Sequence, residues 1–175
     1  MIPDLLLIQF NETLKQWIDY LDDYSFETLT RKPGPGAWSL GQMYIHLLVS
    51  TEHFIEQMKA AAATADNSDQ TMHQDAQRMF ARNSFPARIL EGPDNDSNIP
   101  QPDSKEEIAV RLIFILDDIN SKTVASALAR STGKTRHPGL LYFSAPEWLQ
   151  FAEMHLRHHF RQKERIDAFL SQEPS

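Results

Sequence analysis

The chain has 175 residues, 41% of them apolar, with ten Pro and six Gly, which suits one globular domain with a core of its own. Seventeen basic and twenty-four acidic side chains leave a net charge of −7, which argues against nucleic acid as a partner, because phosphate binding needs clustered positive charge. There is no cysteine, so disulfides, zinc–thiolate sites and a cysteine nucleophile are excluded, and any metal must rest on His and carboxylate ligands.

The opening stretch, MIPDLLLIQFNETL, has no basic flank, and Gln9 and Asn11 interrupt its short apolar run. It does not read as a signal peptide, and no run approaches the ~18 apolar residues of a membrane span, so a cytoplasmic protein that makes no use of the membrane is expected. The first helix is predicted over about 4–23, with Leu6, Phe10, Trp17, Leu21 and Tyr24 on one face, and it stops before RKPGPG. The second starts after Ser39 as N-cap and runs to about Ala63, on a stripe of Leu40, Met43, Leu47, Phe54, Met58 and Ala61. A connection of about forty residues follows, with TMHQDAQRMFAR as a short helix inside it. Ser104 and Glu107 form a capping-box pattern that opens the third helix, carried by Ile108, Leu112, Ile115, Leu116 and Ile119 and expected to end near Gly133. The fourth begins after Ser144, with Pro146 in its first turn, and reaches about Leu170. The predicted fold is all-α, a single domain made of a four-helix bundle with one long crossover between helices two and three.

The fourth helix carries the chemistry. Trp148, Ala152, His155, His159, Gln162, Ile166 and Phe169 alternate steps of four and three, the spacing of an inward-facing seam. His155 and His159 therefore occupy core positions one turn apart, while His158 lies about 100° around the helix from His159. Buried imidazoles need partners, since an unsatisfied polar group costs on the order of 1–3 kcal/mol. Two readings are open at this point: a pair of core histidines bonded to each other and to Gln162, or two ligands for one metal ion. A third ligand would come from the second helix, where His46 lies at the edge of the inward face and His53 is its rival two turns on. Three neutral imidazoles without thiolate favour zinc, nickel or a similar divalent ion, and they leave a position for water, as catalytic sites do. Protonation of such ligands, at an unperturbed pKa of ~6.5, predicts that metal stabilisation fades below about pH 6. Other motifs fail: STGKT lacks the first glycine of a phosphate loop, and neither HExxH nor GxSxG occurs.

PGAWSLGQMYIHLLVSTE, followed far downstream by HPGLLYFSAPEWLQFAEMHLRHHFRQ, resembles the DinB/YfiT-like superfamily, and within it a bacterial subset with a His-Pro loop and a Trp before the final histidines. The resemblance implies a four-helix bundle, commonly dimeric, that holds a divalent metal through three histidines, here His46, His155 and His159. It further implies either a metal-dependent hydrolase or a transferase that uses a low-molecular-weight thiol, acting on a small molecule; the alternative is a non-catalytic, metal-stabilised scaffold. Gln162, His137 and Trp38 are the candidates for supporting the ligands or touching substrate. The His-Pro loop departs from the subset, because Gly139 directly follows Pro138 where an aromatic residue is usual, which leaves the role of His137 open.

Overall fold

The computed structural model describes residues 3–86 and 99–171, and these are mostly helical. The elements are α1 (Pro3–Asp22), α2 (Phe26–Thr30), α3 (Leu40–Ala62), α4 (Gln74–Arg82), α5 (Lys105–Ile119), α6 (Lys122–Arg130), β1 (Lys134–His137), β2 (Leu141–Ser144), α7 (Ala145–His158) and α8 (Phe160–Leu170). Caps set several starts. Ser39 accepts from the Gln42 N–H while the Gln42 side chain accepts from the Ser39 N–H, a reciprocal box. Ser104 accepts from the Glu107 N–H, but Glu107 reaches back one residue further, to the Asp103 N–H.

Four contacts organise the long helices: α1 with α5, α1 with α7, α3 with α5, and α3 with α7. Side-chain pairings set their directions. Thr13 meets Glu153, Trp17 meets Leu156 and Tyr24 meets Asp167, so α1 runs parallel to the last helix. Glu52 meets Arg111 and Lys59 meets Asp118, so α3 and α5 also run parallel. Asn11 meets Asn120 and Asp22 meets Lys105, which makes α1 and α5 antiparallel. Parallel neighbours α3 and α5 require a connection that returns along their whole length. That requirement accounts for the long crossover, whose far end docks at the start of α3, where Gln42 Nε2 donates to the Ile99 carbonyl and Ser39 Oγ to Gln101 Oε1.

Besides the short helix α2 added after the first, the structure departs from the four predicted helices in three places. A short hairpin, β1 paired antiparallel with β2, stands where HPGLLYF reads as loop, so the chain is not purely helical. The third helix is two, because α5 stops at Ile119 and Ser121 caps α6. The fourth helix is interrupted at His159. At that break the Leu156 carbonyl accepts a hydrogen bond from Trp17 Nε1 at 3.2 Å. A side-chain donor placed on the carbonyl ladder is a known cause of helix bending. Gly133 sits buried against the turn after α3, where a β-carbon would collide with the Thr64 carbonyl.

Candidate metal centre

α3 and the last helix run antiparallel and bring three imidazoles to one point. His155 Nε2 stands 3.2 Å from His46 Nε2 and 3.2 Å from His159 Nε2. Among the described residues these three form a group whose ligand atoms all lie within 4.8 Å of one another. Nitrogens held at ~2.05 Å around a tetrahedral zinc would be about 3.3 Å apart, so the observed spacing fits a single small divalent ion.

Proton counting supports the same use. The Nδ1 of His159 lies 2.8 Å from Gln162 Oε1, and an amide oxygen only accepts, so Nδ1 carries the proton and Nε2 presents a lone pair. A single proton on His155 Nε2 cannot point straight at both neighbouring nitrogens. A cation, by contrast, can receive all three lone pairs. His155 Nδ1 is buried and has no hydrogen-bond partner, with Phe54 and Phe85 set edge-to-face on its ring at 5.4 and 6.1 Å. The ring is thus held by packing on one side and by nitrogen neighbours on the other. Trp38 packs on His46 with ring centroids 5.0 Å apart.

Burial is the first influence on the protonation of these rings. It pushes His159 down to about 3, helped by His46 and opposed by the Gln162 hydrogen bond. His155 is held well below the usual imidazole range by burial, then by His159, His46 and His158. Both rings are neutral at physiological pH, as ligands must be. The window expected for unperturbed imidazole is accordingly displaced: within the folded chain, acid competes for His159 well below pH 6. His46 and His155 remain partly exposed, while His159 is buried.

The remaining candidates separate. His158 flanks the group, its ring 5.4 Å from His159 and 5.5 Å from Phe85. Its pKa is lowered by burial, then by the charges of Arg161 and Arg165. His53 is exposed on α3, its ring 6.3 Å from Trp148. His137 ends β1 rather than hanging in a loop; its Nδ1 accepts from the Gly139 N–H, and the ring stacks on Trp148 at 5.6 Å. Burial, and then His53, lower it to about 4. It lies outside the converging group, as an aromatic packing residue of the hairpin.

Sequence reasoning missed a polar framework behind the site. Buried Glu153 accepts from Thr13 Oγ1 at 3.0 Å and from Arg157 Nε and Nη2, both at 2.8 Å. Arg157 Nη2 also donates to the Asn83 carbonyl, and Gln150 Nε2 donates to Asn83 Oδ1. Asn83 caps α4 in the left-handed conformation, at φ 48°, and delivers Phe85 onto the histidines. The signal in the sequence was a Glu-to-Arg step of four on one helix, which usually describes a solvated surface pair.

The family model described as the DinB superfamily matches residues 9–162. The chain belongs to the DinB superfamily. The DinB match begins within α1 and ends at Gln162, so it takes in all three histidines and the amide that orients one of them. No curated protein and no solved structure matches the chain. Among the described residues of this DinB protein, no helix is long and apolar enough to cross a membrane.

Proposed function

We propose that this protein is a metal-dependent enzyme acting on a small molecule, as a hydrolase or as a transferase using a low-molecular-weight thiol, with His46, His155 and His159 as ligands to one divalent ion, zinc or nickel. In this reading α1, α3, α5 and α7–α8 constitute a four-helix bundle that works as a cytoplasmic homodimer. The observation that carries the reading is the convergence of three Nε2 atoms at 3.2 Å steps with His46 and His155 still partly exposed, since three ligands and open space leave coordination positions for water or substrate. A divalent ion there supplies Lewis acidity, lowering the pKa of a water or thiol toward neutrality. The chain's own residues prepare for it. Gln162 holds His159 in the tautomer that offers Nε2, Trp38 and Phe54 fix the planes of His46 and His155, and burial keeps His155 and His159 unprotonated. Among the described residues no carboxylate joins the three histidines, so the activation of a nucleophile would fall to the ion.

The test is metal analysis of the purified full chain followed by cobalt substitution. One ion per chain is expected, together with a visible spectrum that shifts on adding azide or a thiol. A cobalt spectrum indifferent to both ligands would sink the catalytic reading and favour a closed scaffold.

A further inference from the structure

A second feature lies directly beside the histidines, on the opposite side of His158. Ser84, Phe85, Met154, Arg157, His158 and Arg161 line a recess of about 50 Å³. Its floor, Met154, and one wall, Phe85, are apolar and buried. The rim is cationic and rich in donors. Arg157 is oriented through Nε and Nη2 by Glu153 and the Asn83 carbonyl, which leaves Nη1 without a partner among the described residues. Arg161 and Arg165 follow at steps of four, both exposed, and neither has a carboxylate partner among the described residues. Like charges at this helical spacing repel by about 0.2–0.5 kcal/mol per pair. Here they are gathered across the junction of α7 and α8 in a chain whose net charge is −7, beside the only histidine group that could hold an ion among the described residues. The recess is also built rather than incidental, because the same Arg157 and Gln150 contacts that fix Asn83 hold its Phe85 wall in place.

We propose that this recess is a carboxylate subsite: Arg157 Nη1 and Arg161 receive the carboxylate of a small organic anion, whose reactive end extends past His158 to His46, His155 and His159. The volume suits this division, since a water needs ~10–15 Å³ on the same measure, so the recess has room for a carboxylate group while the rest of a larger substrate extends outside it. Guanidinium groups are suited to the role because their planar N–H fork matches a carboxylate and they never deprotonate. The proposal rests on the metal-centre reading for the reactive end alone; binding of the carboxylate does not require the ion.

The experiment therefore has two arms on the full chain. In the first, metal-free protein is titrated with propionate at low ionic strength and followed by amide NMR. Shifts are expected at residues 84–85 and 157–161, with apparent affinity about tenfold weaker in Arg161→Glu, the factor one charge-assisted hydrogen bond supplies, and unchanged in Lys122→Glu on α6. In the second, cobalt-loaded protein is titrated with 3-mercaptopropionate and with 2-mercaptoethanol. The carboxylate-bearing thiol should bind about tenfold more tightly to the native chain, and Arg161→Glu should abolish that preference while leaving 2-mercaptoethanol unaffected. Propionate shifts that are absent, or identical in native and Arg161→Glu protein, overturn the proposal. So does equal affinity for the two thiols in the native chain. Failure to bind cobalt with the propionate arm intact would instead refute the metal reading and leave the anion subsite standing. Arg161 is exposed, so its replacement should fold, and Arg161→Gln gives the same comparison without reversing the charge.

Discussion

Replacing Gln162 with leucine separates the orientation of a ligand from its presence. In the native chain, Gln162 Oε1 accepts from His159 Nδ1 at 2.8 Å and so commits the proton to that nitrogen. Leucine keeps the volume but removes the acceptor. The proton is then free to move to Nε2, and a share of the protein will present an N–H where a lone pair is required. Loss of such an outer partner costs metal affinity by about 10–100-fold, or about 1.4–2.8 kcal/mol. The fold should be much less affected, because Gln162 is half-buried and a single neutral hydrogen bond is worth about 0.5–1.5 kcal/mol, a few degrees of Tm in a domain of this size. The assay is zinc competition against a chromogenic chelator at neutral pH, with thermal unfolding of the metal-free protein alongside. Affinity within twofold of native would refute the tautomer argument. A large fall in metal-free Tm would show instead that Gln162 serves the fold.

Alanine at His46, His155 or His159 should each abolish stoichiometric metal in elemental analysis, whereas His158→Ala should retain it; loss of metal only in the latter would reverse the assignment. The metal-free protein should lose stability as pH falls below about 6.5, because unfolded histidines bind protons there while folded His159 does so only at about 3 and His137 at about 4. The slope is up to ~1.4 kcal/mol per pH unit for each fully buried imidazole, and a chelated sample whose Tm is flat from pH 7 to 5 contradicts it. Gly133→Ala forces a β-carbon onto the Thr64 carbonyl and should cost about 1–3 kcal/mol in urea unfolding, with an unchanged midpoint as the contrary result. Glu153→Gln keeps the shape but removes the charge that pairs with Arg157. It should lower stability by about 1–3 kcal/mol, tempered because Arg157 is partly exposed, and the loss should shrink in an Arg157→Met background; equal losses in both backgrounds would show that the two residues are uncoupled.

Helix existence and the histidine seam were legible for one reason: each is a local pattern that tertiary packing then obeys. The stripe Leu6, Phe10, Trp17 and Leu21 is buried as its spacing requires, and the Ser39 and Ser104 caps open their helices. Local pattern was silent where a distant group decides. Nothing between residues 145 and 170 announces a break at His159, because one donor at the break, Trp17 Nε1, lies on α1. The split at Asn120 is similar, since Asn120 exchanges side-chain hydrogen bonds with Asn11, again across to α1. The hairpin was missed because four-residue strands carry too few alternations to outweigh a Pro-Gly pair. The Glu153–Arg157 framework was invisible because its sequence signature describes a surface pair equally well.

The break at His159 also bears on how the site can exist at all. In an uninterrupted helix, residues at i and i+4 present their side chains in register along one face, and the carbonyls of that turn are occupied by N–H groups further along. Here the Leu156 carbonyl accepts from Trp17, whose ring stacks on Phe160 at 5.0 Å, so the residues on either side of His159 are both tied to α1. Beyond His159, the N–H groups of Gln162 and Lys163 both donate to the His159 carbonyl, at 3.0 Å. A Gln162 N–H bonded to a carbonyl three residues back tightens the turn, and a tightened turn draws the Gln162 side chain toward the His159 ring, where it bonds Nδ1. The packing at the interruption and the hydrogen bond that sets the tautomer thus lie within two turns of each other, and α1 borders the site without contributing a ligand. Trp17, fully buried and bonded to the carbonyl next to His155, is accordingly a residue through which a change in the helical frame would reach the histidines.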